Sequence, residues 1–341
     1  MLGLCGDNEQ RQRKKCRHAN LRELPPNAFP SAEQLADSCA VRDPSRRLVQ
    51  GEKPARELAS HALFAQEPSR QELSAEDLSP HEQSVALTST FRLIQPKRGH
   101  RYSVDDMLVA YIAAGFADAA EAAGLGGEPR RVLDLGTGLG SVLLMLAWRF
   151  PRATFVGVEA QPEHAAWARR NVRLNGCEDR VTILQGDLRH EDVMQQVGDG
   201  FDLVTGTPPY FDPARSTVCS HRLRAYAQWE LRGGIEHYVQ AASRAMADHG
   251  AFVVCSAARP EQRTPRALAA WGLRPTWCQQ VVPRTGRPPF LTLWVARKQT
   301  SSAVHSHTIC PPFLVLRTDQ GLRTQQHMDI RQSFGIACSL K

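Results

Sequence analysis

The residues best suited to chemistry lie in two short stretches. The first is Asp134-Leu135-Gly136-Thr137-Gly138-Leu139-Gly140. Glycines at this spacing let a backbone turn tightly and approach a ligand without Cβ clashes. A helix starting just after them would present unpaired N–H groups. A dinucleotide site would space them GxGxxG, with the pyrophosphate on the helix end. Here the third glycine comes one residue early and position 141 is Ser. Asp134, just inside the loop, would repel a pyrophosphate and attract an ammonium group. The second stretch is Thr207-Pro208-Pro209-Tyr210, a rigid turn that ends in an aromatic ring.

Two further acids follow in order. Glu159 closes an apolar run, where a carboxylate can accept both hydroxyls of a ribose. Asp187-Leu188 follows the next apolar run, placed to hold an adenine amino group and pack on its ring. A ligand with an amine, a ribose, an adenine and no phosphate is S-adenosyl-L-methionine. Three anchors at successive strand ends favour it over another nucleotide on a Rossmann-type fold.

These anchors need a scaffold of alternating strands and helices. Strands are predicted at Val132–Gly136, Thr154–Glu159, Val181–Leu184, Phe201–Thr205 and Ala251–Ser256, and helices at Ser141–Phe150, Pro162–Asn175 and Ile235–Ala247. Thr276–Val282 and Leu291–Arg297 read as an antiparallel pair, Phe313–Arg317 as a further strand and Thr324–Phe334 as a last helix, with 299–310 a polar linker. The alternation predicts an α/β fold: a doubly wound, seven-stranded, mostly parallel, Rossmann-like sheet with an antiparallel pair near the C-terminus.

Composition narrows the class. The 341 residues are 42% hydrophobic and 23% charged, which excludes fibrous and wholly disordered chains. No apolar run reaches the 18 residues a membrane helix needs, and the charged start lacks the apolar core of a secretory signal. Nine scattered cysteines without a CxxC pair read as reduced thiols of an intracellular, most simply cytoplasmic, protein with no zinc site. Residues 1–86 hold 12 Lys+Arg against 13 Asp+Glu, and 87–341 hold 30 against 22. The first part lacks Trp and Tyr and reads as a mostly disordered extension, with a short helix conceivable at Ala55–Gln66 and a basic cluster from Arg11 to Arg17. The domain is therefore expected at 87–337, a basic unit suited to a polyanion such as RNA. No metal is expected, and the chain is expected to act as a monomer.

The stretch from Phe91 to Ile336 resembles the class I S-adenosylmethionine-dependent methyltransferases, within them the small-domain group that includes bacterial tRNA adenine-N6 methyltransferases. The resemblance rests on Gln95-Pro-Lys-Arg-Gly-His-Arg-Tyr-Ser-Val-Asp105, on VLDLGTGLGSVLLMLAWRFP, VGVEAQPEHAAWARRNVRLNG and FDLVTGTPPYF, and on FLVLRTDQG at 313–321. It implies that the segment before the first core strand closes over the donor, with Arg101, Tyr102, Ser103 and Asp105 as candidates. It also implies Asn-Pro-Pro-Tyr where this chain has Thr207-Pro208-Pro209-Tyr210. An exocyclic amine has a delocalised lone pair. Acceptors around its NH2, here Thr207 and the Pro208 carbonyl, would pull it out of planarity while Tyr210 stacks on the flat target. Transfer would be in-line displacement from the sulfonium, with positioning as the main effect. A base would have to enter unstacked. No cysteine adjoins the motif, which weighs against cytosine-C5 chemistry.

The implied activity is N-methylation of RNA, adenine N6 of tRNA or another structured RNA. Methylation of a protein glutamine amide and a catalytically weak RNA-binding relative stay open, the latter because Thr207 holds an amine less rigidly than an amide would. Arg215, His221, Arg222 and Arg224 follow the motif, and Arg284 and Arg287 lie in a late loop. They are candidates for gripping phosphates.

Overall fold

In the computed structural model, residues 78–122, 128–299 and 307–337 are described. Most of the expected N-terminal extension, with its possible helix and basic cluster, lies outside them.

Ten strands and eight helices run through these residues. They are β1 (Glu82–Ala86), β2 (Arg92–Pro96), α1 (Val104–Ala122), β3 (Arg131–Leu135), α2 (Ser141–Arg149), β4 (Thr154–Glu159), α3 (Pro162–Leu174), β5 (Val181–Gln185), α4 (Glu191–Val197), β6 (Phe201–Gly206), α5 (Arg222–Gln228), α6 (Ile235–Ala245), β7 (Met246–Ala257), α7 (Arg263–Ala270), β8 (Leu273–Val282), β9 (Leu291–Lys298), β10 (Leu314–Val315) and α8 (Gln325–Ser333). The main sheet has eight strands in the order β10-β8-β9-β7-β6-β3-β4-β5. Only β9 runs against the others. Seven strands match the expected sheet closely, and the eighth, β10, is a two-residue edge.

The strands are short apolar runs because both faces are covered. Val132, Phe155, Leu203 and Val253 pack toward α1, α2 and α3, whereas Leu133, Val158, Val204 and Phe252 pack toward α6 and α7. Helix α2 is apolar almost all round because Ser141 through Ala147 are all buried. From β3 the chain winds one way to β4 and β5, then returns to β6 and β7 on the other side. That reversal opens a crevice outside the C-terminal ends of β3, β4 and β6.

Helices α1, α4, α5 and α7 were not foreseen, nor was the hairpin that opens the described chain. β1 and β2 form a separate antiparallel hairpin, so ordered structure begins before the expected boundary at residue 87. The hairpin has no sheet to join, so α3 holds it. Asn171 Oδ1 accepts from Ile94 N (2.7 Å) while its Nδ2 donates to the Ile94 and Leu139 carbonyls (both 3.0 Å). One turn on, Asn175 accepts from Arg92 N and donates to Arg92 O. Glu82 takes the Trp167 indole N–H (2.7 Å) and the Arg170 guanidinium (2.7 Å). The hairpin's second strand thus delivers residues 97–103 over the crevice, and α1 carries the chain back into the core.

Candidate active site

The crevice is a cavity of about 660 Å³ bounded by the glycine loop, the ends of β4 and β5, the Thr207–Phe211 corner, segment 99–106 and part of α5. The glycine loop is left-handed at Gly136 (φ +64°), Gly138 (φ +57°) and Gly140 (φ +83°). A Cβ on Gly136 would run into the Tyr238 hydroxyl.

Asp134 does not do what its position suggests. It is 2% exposed and does not border the cavity. Thr137 Oγ1 donates to one of its oxygens and Thr205 Oγ1 to the other, both at 2.7 Å. The carboxylate therefore pins the loop to β6. Burial pushes its pKa up to about 6, against those two hydroxyls.

The carboxylate that faces the cavity near the loop is Asp106, in the first turn of α1. It is buried, accepts from Ser103 N (3.1 Å) and bonds the Ser141 hydroxyl. Among the described residues no Lys or Arg forms an ion pair with it. Burial, with Asp105 beside it, pushes its pKa up to about 8. The sequence held no signal for this beyond an acid pair opening an apolar stretch.

Glu159 is where it was expected, lining the cavity at the end of β4. Gly138 N and Gln161 N donate to its two oxygens at 2.9 and 2.7 Å, one to each, which leaves further lone pairs for hydroxyls. Burial raises its pKa to about 7. Asp187 and Leu188 also line the cavity, but both Asp187 oxygens are taken by the Arg189 guanidinium at 2.9 and 2.8 Å. Nearby, Gln161 Oε1 and the Nε2 of buried His164 have no protein partner. Burial drives the His164 pKa down to about 3 and that of the adjacent His100 down as well, so both rings are neutral.

Arg101, Tyr102, Ser103 and Asp105 all line the cavity, as do Gly136, Thr137, Gly138, Thr207, Pro208, Pro209 and Tyr210, whereas Gly140 caps α2 outside it. The Tyr210 hydroxyl donates to Asp105 (2.7 Å) and meets the Cys255 sulfur at 2.9 Å. Segment 99–106 and the Thr207 corner are joined by this bond. Cys255, remote in sequence, therefore does reach the motif in space. Burial and the nearby Asp105 charge push its thiol far up, so it stays protonated.

Of the expected phosphate-gripping residues, Arg224 lines the cavity, whereas Arg215, His221, Arg222, Arg284 and Arg287 do not. Arg215 pairs with Asp212 and Arg222 with Glu163, while Arg284 and Arg287 stand exposed in the β8–β9 loop at the same sheet edge. Arg232, not singled out from sequence, also lines the cavity, donating to Ala160 O (2.9 Å) and lying over the Tyr226 ring (4.7 Å). At the rim, Phe211 and Phe290 are 45% and 41% exposed. Among the described residues no group of His, Cys, Asp and Glu could hold a metal, and no helix is long and apolar enough to cross a membrane.

Residues 132–225 match the methyltransferase domain family model. Over 126 residues the chain is 35% identical to a tRNA1(Val) (adenine(37)-N6)-methyltransferase of Porphyromonas gingivalis, covering 37% of this chain and 49% of that protein. Over 211 residues it is 28% identical to the protein so named in Yersinia pestis, covering 60% and 79%. The chain thus spans about half the length of the first relative. Among solved structures, a predicted O-methyltransferase from Agrobacterium tumefaciens superposes with a TM-score of 0.48 at 20% identity, covering 69% of this chain and 99% of that one. Residues 132–225 thus match a methyltransferase domain, and the chain is similar to proteins named tRNA1(Val) (adenine(37)-N6)-methyltransferase.

Proposed function

We propose that this protein is an S-adenosylmethionine-dependent N-methyltransferase acting on RNA, with adenine N6 of a tRNA or another structured RNA as its target. One observation carries the reading: a buried, cation-less carboxylate (Asp106), a ribose-type carboxylate (Glu159) and the Thr207-Pro-Pro-Tyr corner border a single cavity.

The residues fit the donor. Asp106 would hold its ammonium, Glu159 its ribose hydroxyls, and Leu188 would pack on its adenine, with Asp187 available once Arg189 shifts. The donor supplies an electrophilic methyl on a sulfonium. Thr207 Oγ1 and the Pro208 carbonyl would accept hydrogen bonds from the target amine and turn its lone pair toward that methyl. Tyr210, fixed by Asp105, forms the wall of this corner. The exposed rings of Phe211 and Phe290 offer a flat base a stacking surface at the entrance. Arg224 at the mouth, with Arg284 and Arg287 on the neighbouring loop, would meet phosphates. We place the methyltransferase domain at the expected 87–337, extended to take in the β1–β2 hairpin that starts at Glu82, and the protein in the cytoplasm.

Incubation with labelled donor and total RNA, followed by digestion to nucleosides, tests this. N6-methyladenosine is the expected product. Label found only in protein would favour the glutamine-amide reading. A weakly active RNA-binding relative is the second reading, favoured by Thr207, and predicts donor binding with no turnover.

A further inference from the structure

The outer edge of β8 is covered by a strap that contains a pair of thiols. Thr308 Oγ1 donates to Pro275 O (3.0 Å), Ile309 N to Thr276 O (2.9 Å) and Cys278 N to Ile309 O (2.9 Å). These bonds pair Trp277 with Ile309 in parallel. Farther along, Gln279 Nε2 donates to Pro312 O (2.8 Å), and β10 pairs with Val281 and Val282. The next residues after the Trp277–Ile309 pair are Cys278 and Cys310. In a parallel ladder such neighbours project from the same face, and their sulfurs lie 3.0 Å apart. Both are free thiols; Cys310 is exposed and Cys278 half-buried. Among the described cysteines, no other two sulfurs are in contact.

We propose that Cys278 and Cys310 form a dithiol–disulfide site that reacts with small-molecule disulfides such as oxidised glutathione and, when closed, staples residues 308–317 to β8. Cys310, the exposed member, is the attacking thiol. The hydrogen bond between the two sulfurs lowers the pKa of the Cys310 thiol, which favours its thiolate over that of Cys278. The Cys310 thiolate attacks one sulfur of oxidised glutathione and expels one glutathione thiolate, which takes up a proton. Cys278 then loses its proton and attacks the Cys310 sulfur of the mixed disulfide, expelling the second glutathione. The protein loses two hydrogens and two glutathiones are formed.

The staple has a structural consequence. The strap runs on to Arg317, whose carbonyl accepts from Thr285 N (2.9 Å) in the β8–β9 loop. That loop carries the exposed Arg284 and Arg287 and leads to Phe290, which lines the cavity. Closing the disulfide ties the support of this loop to the sheet at a second point.

The full-length protein is incubated with oxidised glutathione, acid-quenched, alkylated, digested and mapped by mass spectrometry. The expected product is a cross-linked peptide joining Cys278 and Cys310, with slowed amide hydrogen exchange over 308–317. Cys278→Ser is expected to stop the reaction at the mixed disulfide, leaving glutathione on Cys310. The proposal is overturned if both thiols are alkylated after this treatment. It is equally overturned if glutathione stays on Cys310 of the unaltered protein with no cross-link, or if the cross-link forms without slowing exchange in the strap.

Discussion

Replacing Asp106 by Asn separates a donor-binding role from a structural one, because the two predict opposite signs. Burial pushes the Asp106 carboxyl up to about 8, so in the free protein at pH 7 it is roughly nine-tenths protonated. An ammonium ligand needs it ionised. Each pH unit below 8 therefore costs the bound state about 1.4 kcal/mol, a factor of ten in affinity. Calorimetry with S-adenosylhomocysteine should show Kd falling about tenfold per unit from pH 6 toward 8 with uptake of the ligand and release of one proton. At higher pH still the ligand's own α-ammonium deprotonates and Kd rises again. Asp106→Asn should remove the fall in Kd between pH 6 and 8 and weaken binding at pH 8 by roughly 10- to 100-fold, the worth of a charge-assisted hydrogen bond of about 1.5–3 kcal/mol. The ligand-free protein should respond the other way. A carboxyl with a raised folded pKa lowers stability progressively as pH rises from its unfolded value near 4 toward 8. The Asn variant should therefore melt higher than the unaltered protein at pH 8. A flat Kd between pH 6 and 8 in the unaltered protein, or a lower melting temperature for the variant, refutes the reasoning.

The remaining predictions concern loop, corner, rim and hairpin. Gly136→Ala places a methyl against the Tyr238 hydroxyl at a left-handed φ, so donor binding measured by calorimetry should be lost; adding Tyr238→Phe should restore part of it. Thr207→Ala should lower kcat more than tenfold with donor Kd unchanged, and Thr207→Asn should raise kcat if a firmer acceptor for the amine is what limits transfer. Phe290→Ala, at an exposed rim position, should weaken RNA binding in a filter assay by about 1–3 kcal/mol without changing the melting temperature. Asn171→Ala leaves the Ile94 N–H and the Leu139 carbonyl without their side-chain partner, and should cost about 2–4 kcal/mol in urea unfolding.

Much of the frame was legible before any coordinates. Strand runs at β3 to β6 agree to within a few residues because buried parallel strands are continuous apolar segments closed by glycine, proline or an acid, whereas β7 starts at Met246, inside the expected helix and ahead of the expected Ala251. Thr324 was recognised as the start of α8, and its hydroxyl does accept from His327 N (3.2 Å). The β1–β2 hairpin was missed. Its strands, five residues each, carry weak alternation, and what stabilises them is Asn171, Asn175 and Glu82 contacts across some 80 residues of chain. The Asn171 and Asn175 side chains are indistinguishable in sequence from ordinary helix-end residues.

The chain by itself determined the succession of strands β3 to β9, the glycine loop, Glu159 and the Thr-Pro-Pro-Tyr corner, because each follows from local periodicity or from a backbone requirement of neighbouring residues. Only tertiary structure decided which acid is free to meet a ligand. Asp134 and Asp106 are both buried aspartates near one loop, each with two hydrogen bonds, but Thr137 and Thr205 enclose the first away from the cavity, while the second borders it with no ion-pair partner among the described residues. Hydrogen-bond saturation depends on groups brought together from β6, α1 and α2, and one-dimensional order does not encode which lone pairs remain unused.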